Sequence, residues 1–231
     1  MDKESANSEI KNDRKTENIV TKENEDDNTL LINACKENDE DRVKELIEDG
    51  VDIDKENKDD DKPLSIVCEN ENENIVRLLV ENGADIDKGN KDGDTPLIIT
   101  CKNEYENMYI LDYLIGKGAD IDKENKNEDT PLIIACKNKN ENIVRILVEN
   151  GADLNKGNKN GDTPLIIACE NKYAGIVKYL IYNANRKHII LELNEKNKKG
   201  YYPLLWACNN NNNEIVQLLI DYATENNIFL N

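Results

Sequence analysis

Residues 125–157 read NKNEDTPLIIACKNKNENIVRILVENGADLNKG, and this stretch decides the fold. Asp129-Thr130-Pro131 is a helix start. A threonine oxygen can take up an amide left without a partner at a helix N-terminus, and proline suits the first helical position, where an N–H would go unused. Leu132 to Cys136 then make a short first helix of small and apolar residues, and Asn138 is expected to stop it in the left-handed conformation. Ile143, Val144, Ile146, Leu147 and Val148 form the apolar stripe of a second helix, with Arg145 and Glu149 on the outside. Gly151 caps that helix, and a polar, hairpin-like finger runs from Ala152 to Thr163.

Outward from this stretch the same unit recurs. All five prolines (Pro63, Pro96, Pro131, Pro164, Pro203) are followed by Leu, and all six cysteines (Cys35, Cys68, Cys101, Cys136, Cys169, Cys208) hold the same frame, at spacings of 33, 33, 35, 33 and 39. Asn24, Asn57, Asn90, Asn125, Asn158 and Asn197 keep the same beat. This phase gives six units at 24–56, 57–89, 90–124, 125–157, 158–196 and 197–231. No single unit can bury its apolar faces. Stacked on its neighbours it forms a continuous core, so the expected architecture is an all-α repeat solenoid of helix-turn-helix units. Residues 1–23 read as a polar, acidic N-terminal tail, disordered through 1–16 and ending in the worn remnant of a repeat, and 24–231 as the folded domain.

The period, the T-P-L helix start (Thr95-Pro96-Leu97, Thr130-Pro131-Leu132, Thr163-Pro164-Leu165) and the G-A-D finger (Gly83-Ala84-Asp85, Gly118-Ala119-Asp120, Gly151-Ala152-Asp153) resemble the ankyrin repeat. The resemblance implies stacked ankyrin-type repeats with β-hairpin-like fingers. Departures are visible. The family's histidine after T-P-L is Ile98, Ile133 or Ile166, and its glycine between the helices is Asn38, Glu71, Glu104, Lys139, Lys172 or Asn211. The inter-helix turn is therefore expected to place a preceding asparagine, such as Asn103 or Asn138, in the left-handed region. The outermost units are irregular, with Leu30 in place of Pro and Tyr202 in place of Thr, as end caps are. The third unit carries two extra residues near Tyr105 to Tyr109, expected in the inter-helix turn. The fifth carries six around Asn185 to Leu193, expected to lengthen the finger. Either insertion fits a specificity feature or a neutral change of length.

The composition limits the chemistry. With 34% charged and 38% hydrophobic residues the chain lies near the border of disorder, and the strict apolar rhythm decides for folded. A net charge of −18 argues against nucleic acid or an anionic membrane as partner and is compatible with a partner of basic surface. No apolar run opens the chain or approaches the roughly 20 residues of a membrane span, so an intracellular, cytoplasmic protein is expected, a nuclear one being compatible. The single histidine, His188, leaves no His-based metal site and little for acid–base catalysis; no phosphate-cradling glycine loop occurs. Counting a calcium loop back from Gly93 puts Lys88 and Ile99 where acids are required. Neither an enzyme nor a cofactor or metal site is expected. The cysteines sit where inner helices stack about 8–10 Å apart, too far for the roughly 4.4–6.8 Å that disulfide Cα atoms need, and read as six buried free thiols suited to a reducing compartment.

The family resemblance implies that another protein is bound on a concave face made by the fingers and first helices, by a chain expected to be a monomer. Carried onto this sequence, the groove floor holds Ile99, Ile134, Ile167 and Trp206, expected to be partly exposed, with Lys102, Lys137 and Glu170 beyond the cysteines. The finger edge adds Lys91, Lys126, Lys159, Lys198 and the interleaved Asp94, and Tyr105, Tyr173 and Tyr201 supply aromatic contact. Aromatic residues carry much of the energy of interfaces, which favours the last three repeats. Two further readings stand beside this one: the charges serve only solubility, and Trp206 merely covers the last unit's core. A scaffold or adaptor is the implied role, the alternative being a structural spacer or a fragment of a larger array without its own ligand.

Overall fold

The computed structural model describes residues 27–58, 60–103 and 107–230. The expected tail at 1–23 and Tyr105 lie outside the described residues. Twelve helices occur among the described residues, in six antiparallel pairs: α1 (Asp27–Glu37) and α2 (Glu40–Glu48), α3 (Pro63–Glu69) and α4 (Glu73–Glu81), α5 (Pro96–Lys102) and α6 (Met108–Gly116), α7 (Pro131–Lys137) and α8 (Glu141–Glu149), α9 (Pro164–Glu170) and α10 (Ala174–Lys187), α11 (Pro203–Asn209) and α12 (Asn213–Glu225). Each odd-numbered helix packs on the next odd-numbered one, making an inner layer with the even-numbered helices outside. The fold is an all-α repeat solenoid. One core runs its length, from Leu31 and Ile32 through Ile98, Ile133 and Leu165 to Leu219 and Tyr222.

Local chemistry explains the pairs. Thr95, Thr130 and Thr163 accept from the amides of Ile98, Ile133 and Ile166, and proline follows each threonine. The outer helices are capped as regularly, by asparagine. Asn72, Asn107, Asn140 and Asn212 accept from Ile75, Ile110, Ile143 and Ile215, a set of caps that the sequence reading did not assign. Gly83, Gly118 and Gly151 take positive φ beyond the outer helices, as the Gly151 reading required.

The inter-helix turn differs from expectation. Asn138 has φ −85° and Asn103 φ −62°, so neither is left-handed. The left-handed residues are those that replace the family's glycine: Asn38, Glu71, Lys139, Lys172 and Asn211, at φ 52–63°. The asparagine before them has another task. Nδ2 of Asn70, Asn103, Asn138 and Asn210 donates to the carbonyl of Cys35, Cys68, Cys101 and Cys169 in the preceding pair, at 2.9–3.3 Å. Those carbonyls belong to the last turn of an inner helix, where no intrahelical donor remains. The backbone strain is thus moved one residue on, which leaves the amide free to tie one pair to the next.

The insertion near Asn185 mostly lengthens a helix and not a finger. His188, left-handed at the end of α10, follows the cap residue Tyr173 by 15 residues, whereas Gly151 follows Asn140 by 11. The four-residue difference is about one helical turn, and only the remaining two residues enter the finger. α12 is extended to match, with Asn227 left-handed 15 residues after Asn212. The two added turns meet: Asn185 bonds Glu225 and Asn226, and the buried Tyr222 hydroxyl donates to Ile189 O and accepts from Leu191 N. In the third pair Asn107 follows Cys101 by six residues where Asn140 follows Cys136 by four, so the added length falls between α5 and α6, where residues 104–106 lie outside the described residues.

Candidate protein-binding face

The face carrying the inner-helix ends and fingers is built around the periodic asparagines. Asn125 Oδ1 accepts from the amides of Asn127 and Asp129, which shapes the finger, while its Nδ2 donates to Asp94 of the preceding unit at 2.7 Å. Asn158 does the same with Asp129, and Asn197 with Asp162. One backbone bond per finger adds to this: the amides of Lys126, Lys159 and Lys198 donate to the carbonyls of Asp92, Asn127 and Asn160. Lys88 and Lys156, at one finger position of their units, serve the same end and reach back to the carbonyls of Asp54 and Asp122.

Several candidate contact residues are therefore placed differently from expectation. Ile99, Ile134 and Ile167 are 3%, 6% and 2% exposed, so they are core and not a partly open floor; neighbouring inner helices close over them. Asp94 is likewise buried at 3%, beneath Lys102 Nζ and Asn125 Nδ2, and Asp129 repeats this beneath Lys137 Nζ at 2.7 Å. Lys102 and Lys137 keep two-fifths of their side-chain surface but hold their charges on those aspartates. Lys91, Lys126, Lys159 and Lys198 are exposed at the finger tips.

Trp206 occupies the register of the buried isoleucines yet remains half-buried, and Tyr201 stacks on it with ring centroids 4.2 Å apart and planes 18° from parallel. The indole N–H is shielded and meets no acceptor among the described residues, so stacking and not a polar bond positions the ring there. Tyr173 is also half-buried, with Lys139 Nζ 5.4 Å from its ring centre, and Glu170 is partly exposed. The outer layer carries aromatic–cation contacts that the sequence reading missed: Arg145 lies 4.8 Å from the Tyr179 ring, and Arg77 spans Tyr109 and Tyr113. Their signal was an Arg followed by a Tyr about one repeat later.

A family model described as ankyrin repeats in three copies matches residues 31–125 and 104–190, and a second, described as an ankyrin repeat, matches 199–228. The chain belongs to the ankyrin repeat family. No curated protein matches it. Ankyrin repeats are as a class protein–protein interaction modules.

Electrostatics on this face are local. The Lys36 hydrogen bond holds the Asp61 carboxyl below the usual range, whereas burial, then the nearby Asp61 and Asp94 carboxylates, push Glu69 up. Burial raises the thiols of Cys35 and Cys68 to about 12 and those of Cys101, Cys136 and Cys169 further. These five are buried free thiols. Cys208 is free but exposed, contrary to the expectation of six buried ones, because no described pair covers the far side of α11. Among the described residues no group of three or more His, Cys, Asp or Glu side chains is arranged to hold a metal ion, and no helix is long and apolar enough to cross a membrane.

Proposed function

We propose that this ankyrin domain, residues 24–231, binds a segment of another protein across the finger and inner-helix face of its third to sixth repeats. The observation that carries the reading is the Tyr201–Trp206 stack, half-exposed at the register where Ile99, Ile134 and Ile167 are sealed into the core. A large, rigid aromatic surface that is already ordered loses little entropy on binding and suits an interface anchor. The central repeats contribute less than the sequence reading assigned them, since Lys102 and Lys137 are engaged within the chain. The exposed finger lysines Lys91, Lys126, Lys159 and Lys198 line the edge of the proposed site, and Tyr173 and Glu170 its middle.

Affinity capture with the parent chain and with Trp206→Ala and Tyr173→Ala tests this placement. Partners retained by the parent and lost by both variants are expected; equal capture by all three contradicts it. The saturated ion pairs of the third and fourth repeats favour one other reading, a structural spacer without its own ligand, under which the parent retains nothing specific. Five buried free thiols support a reducing, intracellular compartment for either role.

A further inference from the structure

The last position of the inner helix and the finger position eight residues before it form a register that can be followed along the stack. In the third and fourth pairs it holds a lysine over an aspartate, Lys102 on Asp94 and Lys137 on Asp129. In the second it holds Glu69 and Asp61, and there Lys36 of the first pair supplies the cation, 2.7 Å from Asp61. In the fifth it holds two acids, Glu170 and Asp162, and no ion pair reaches either among the described residues. Asp162 is correspondingly half-buried, whereas Asp94 and Asp129 are covered.

Both residues are tied to the segment that bears the aromatic stack. Asn197 donates to Asp162 at 2.6 Å and accepts from the amide of Tyr201, so one side chain ties both residues together. Asn210, one turn beyond Trp206, donates to the Glu170 carbonyl at 2.8 Å. The fifth and sixth repeats therefore bring a stacked aromatic pair to the register where, in three earlier pairs, a lysine neutralises the aspartate.

Building on the binding role proposed above, we propose that the bound segment is basic, and that it sets an arginine or lysine side chain against Tyr201 and Trp206 with its charge on Asp162 and Glu170. The argument is charge complementarity. The partner's cation does at the fifth repeat what Lys102 and Lys137 do at the third and fourth, and the rings beside it favour a cation through their π faces. Arginine fits best, since its planar fork can stack on a ring and bond carboxylates together. The finger lysines repel such a segment at the tips, which directs its charge to the inner-helix ends.

Selection from a phage-displayed random peptide library on the immobilised full chain, followed by calorimetry with the selected peptides, tests this. Peptides rich in Arg or Lys are expected. Glu170→Lys should weaken them by about tenfold or more by supplying the internal cation, and Trp206→Ala should weaken them similarly. Glu170→Lys copies the pairing of the two preceding repeats, so its thermal unfolding should match the parent's. Peptides that depend on Trp206 but are neutral or acidic, or are indifferent to Glu170→Lys, overturn the basic-segment proposal and leave the binding face standing. Peptides indifferent to both substitutions, or no selected peptides at all, overturn both.

Discussion

Lys172 holds φ 63° at the turn between α9 and α10, a conformation that sets a β-carbon against the backbone at a cost of about 1–2 kcal/mol. Its exposed side chain makes no hydrogen bond or ion pair among the described residues that offsets this. Lys172→Gly is therefore expected to stabilise the chain by on the order of 1 kcal/mol, less the added freedom of a glycine in the unfolded state. Urea unfolding checks it, and a loss of stability would contradict the account of the turn. At this scale the sequence showed positions better than roles. The beat of Asn125, Asn158 and Asn197 was plain, but their bonds run to aspartates about 30 residues earlier, and no local pattern shows which. Asparagine tolerates the left-handed region, so Asn138 looks like a left-handed stop; its amide is instead committed to the Cys101 carbonyl of the neighbouring pair. Asp94 looks like a surface residue because aspartate usually is one, and only the stacked structure supplies the lysine and asparagine that allow its burial.

At the scale of elements, five of the six inner helices among the described residues begin at a periodic proline, three of them behind a capping threonine, and the outer helices carry an apolar stripe. The extended α10 was not legible. Asn183, Asn185, Arg186 and Lys187 look like loop residues, and the apolar run from Ile189 to Leu193 looks like a separate strand of finger. What holds the added turn is tertiary: α12 grows by the same length and places Tyr222 against it. The Tyr222 hydroxyl serves the carbonyl of Ile189 and the amide of Leu191, and both would lose that partner without it. Tyr222→Phe is expected to cost about 1–3 kcal/mol of stability. Hydrogen exchange should show the loss concentrated at residues 189–191, and uniform exchange across all six pairs would refute this coupling of the last two outer helices.

Across the whole molecule the stack seals its thiols by position. Cys35, Cys68, Cys101, Cys136 and Cys169 lie between successive inner helices, where burial holds them protonated, and Cys208 lies on the uncovered side of α11. Alkylation of the folded chain near neutral pH should modify Cys208 alone, and unfolding should release the other five. Rapid labelling of more than one thiol in the native state would mean that the pairs do not stack as described. The charge of −18 has a comparable architecture: lysines are spent on the aspartates of the second, third and fourth repeats and are lacking at the fifth, beside the aromatic pair. Composition alone suggested a basic partner; only the register of ion pairs indicates where its charge belongs. Trp206 is the sole tryptophan of the chain and stands at that place, so its emission reports on the proposed site and on nothing else. Titrating the parent chain with a tryptophan-free selected peptide should change the Trp206 fluorescence with the same midpoint that calorimetry gives for binding. Saturable binding that leaves the emission unchanged would contradict the placement of the partner on this face.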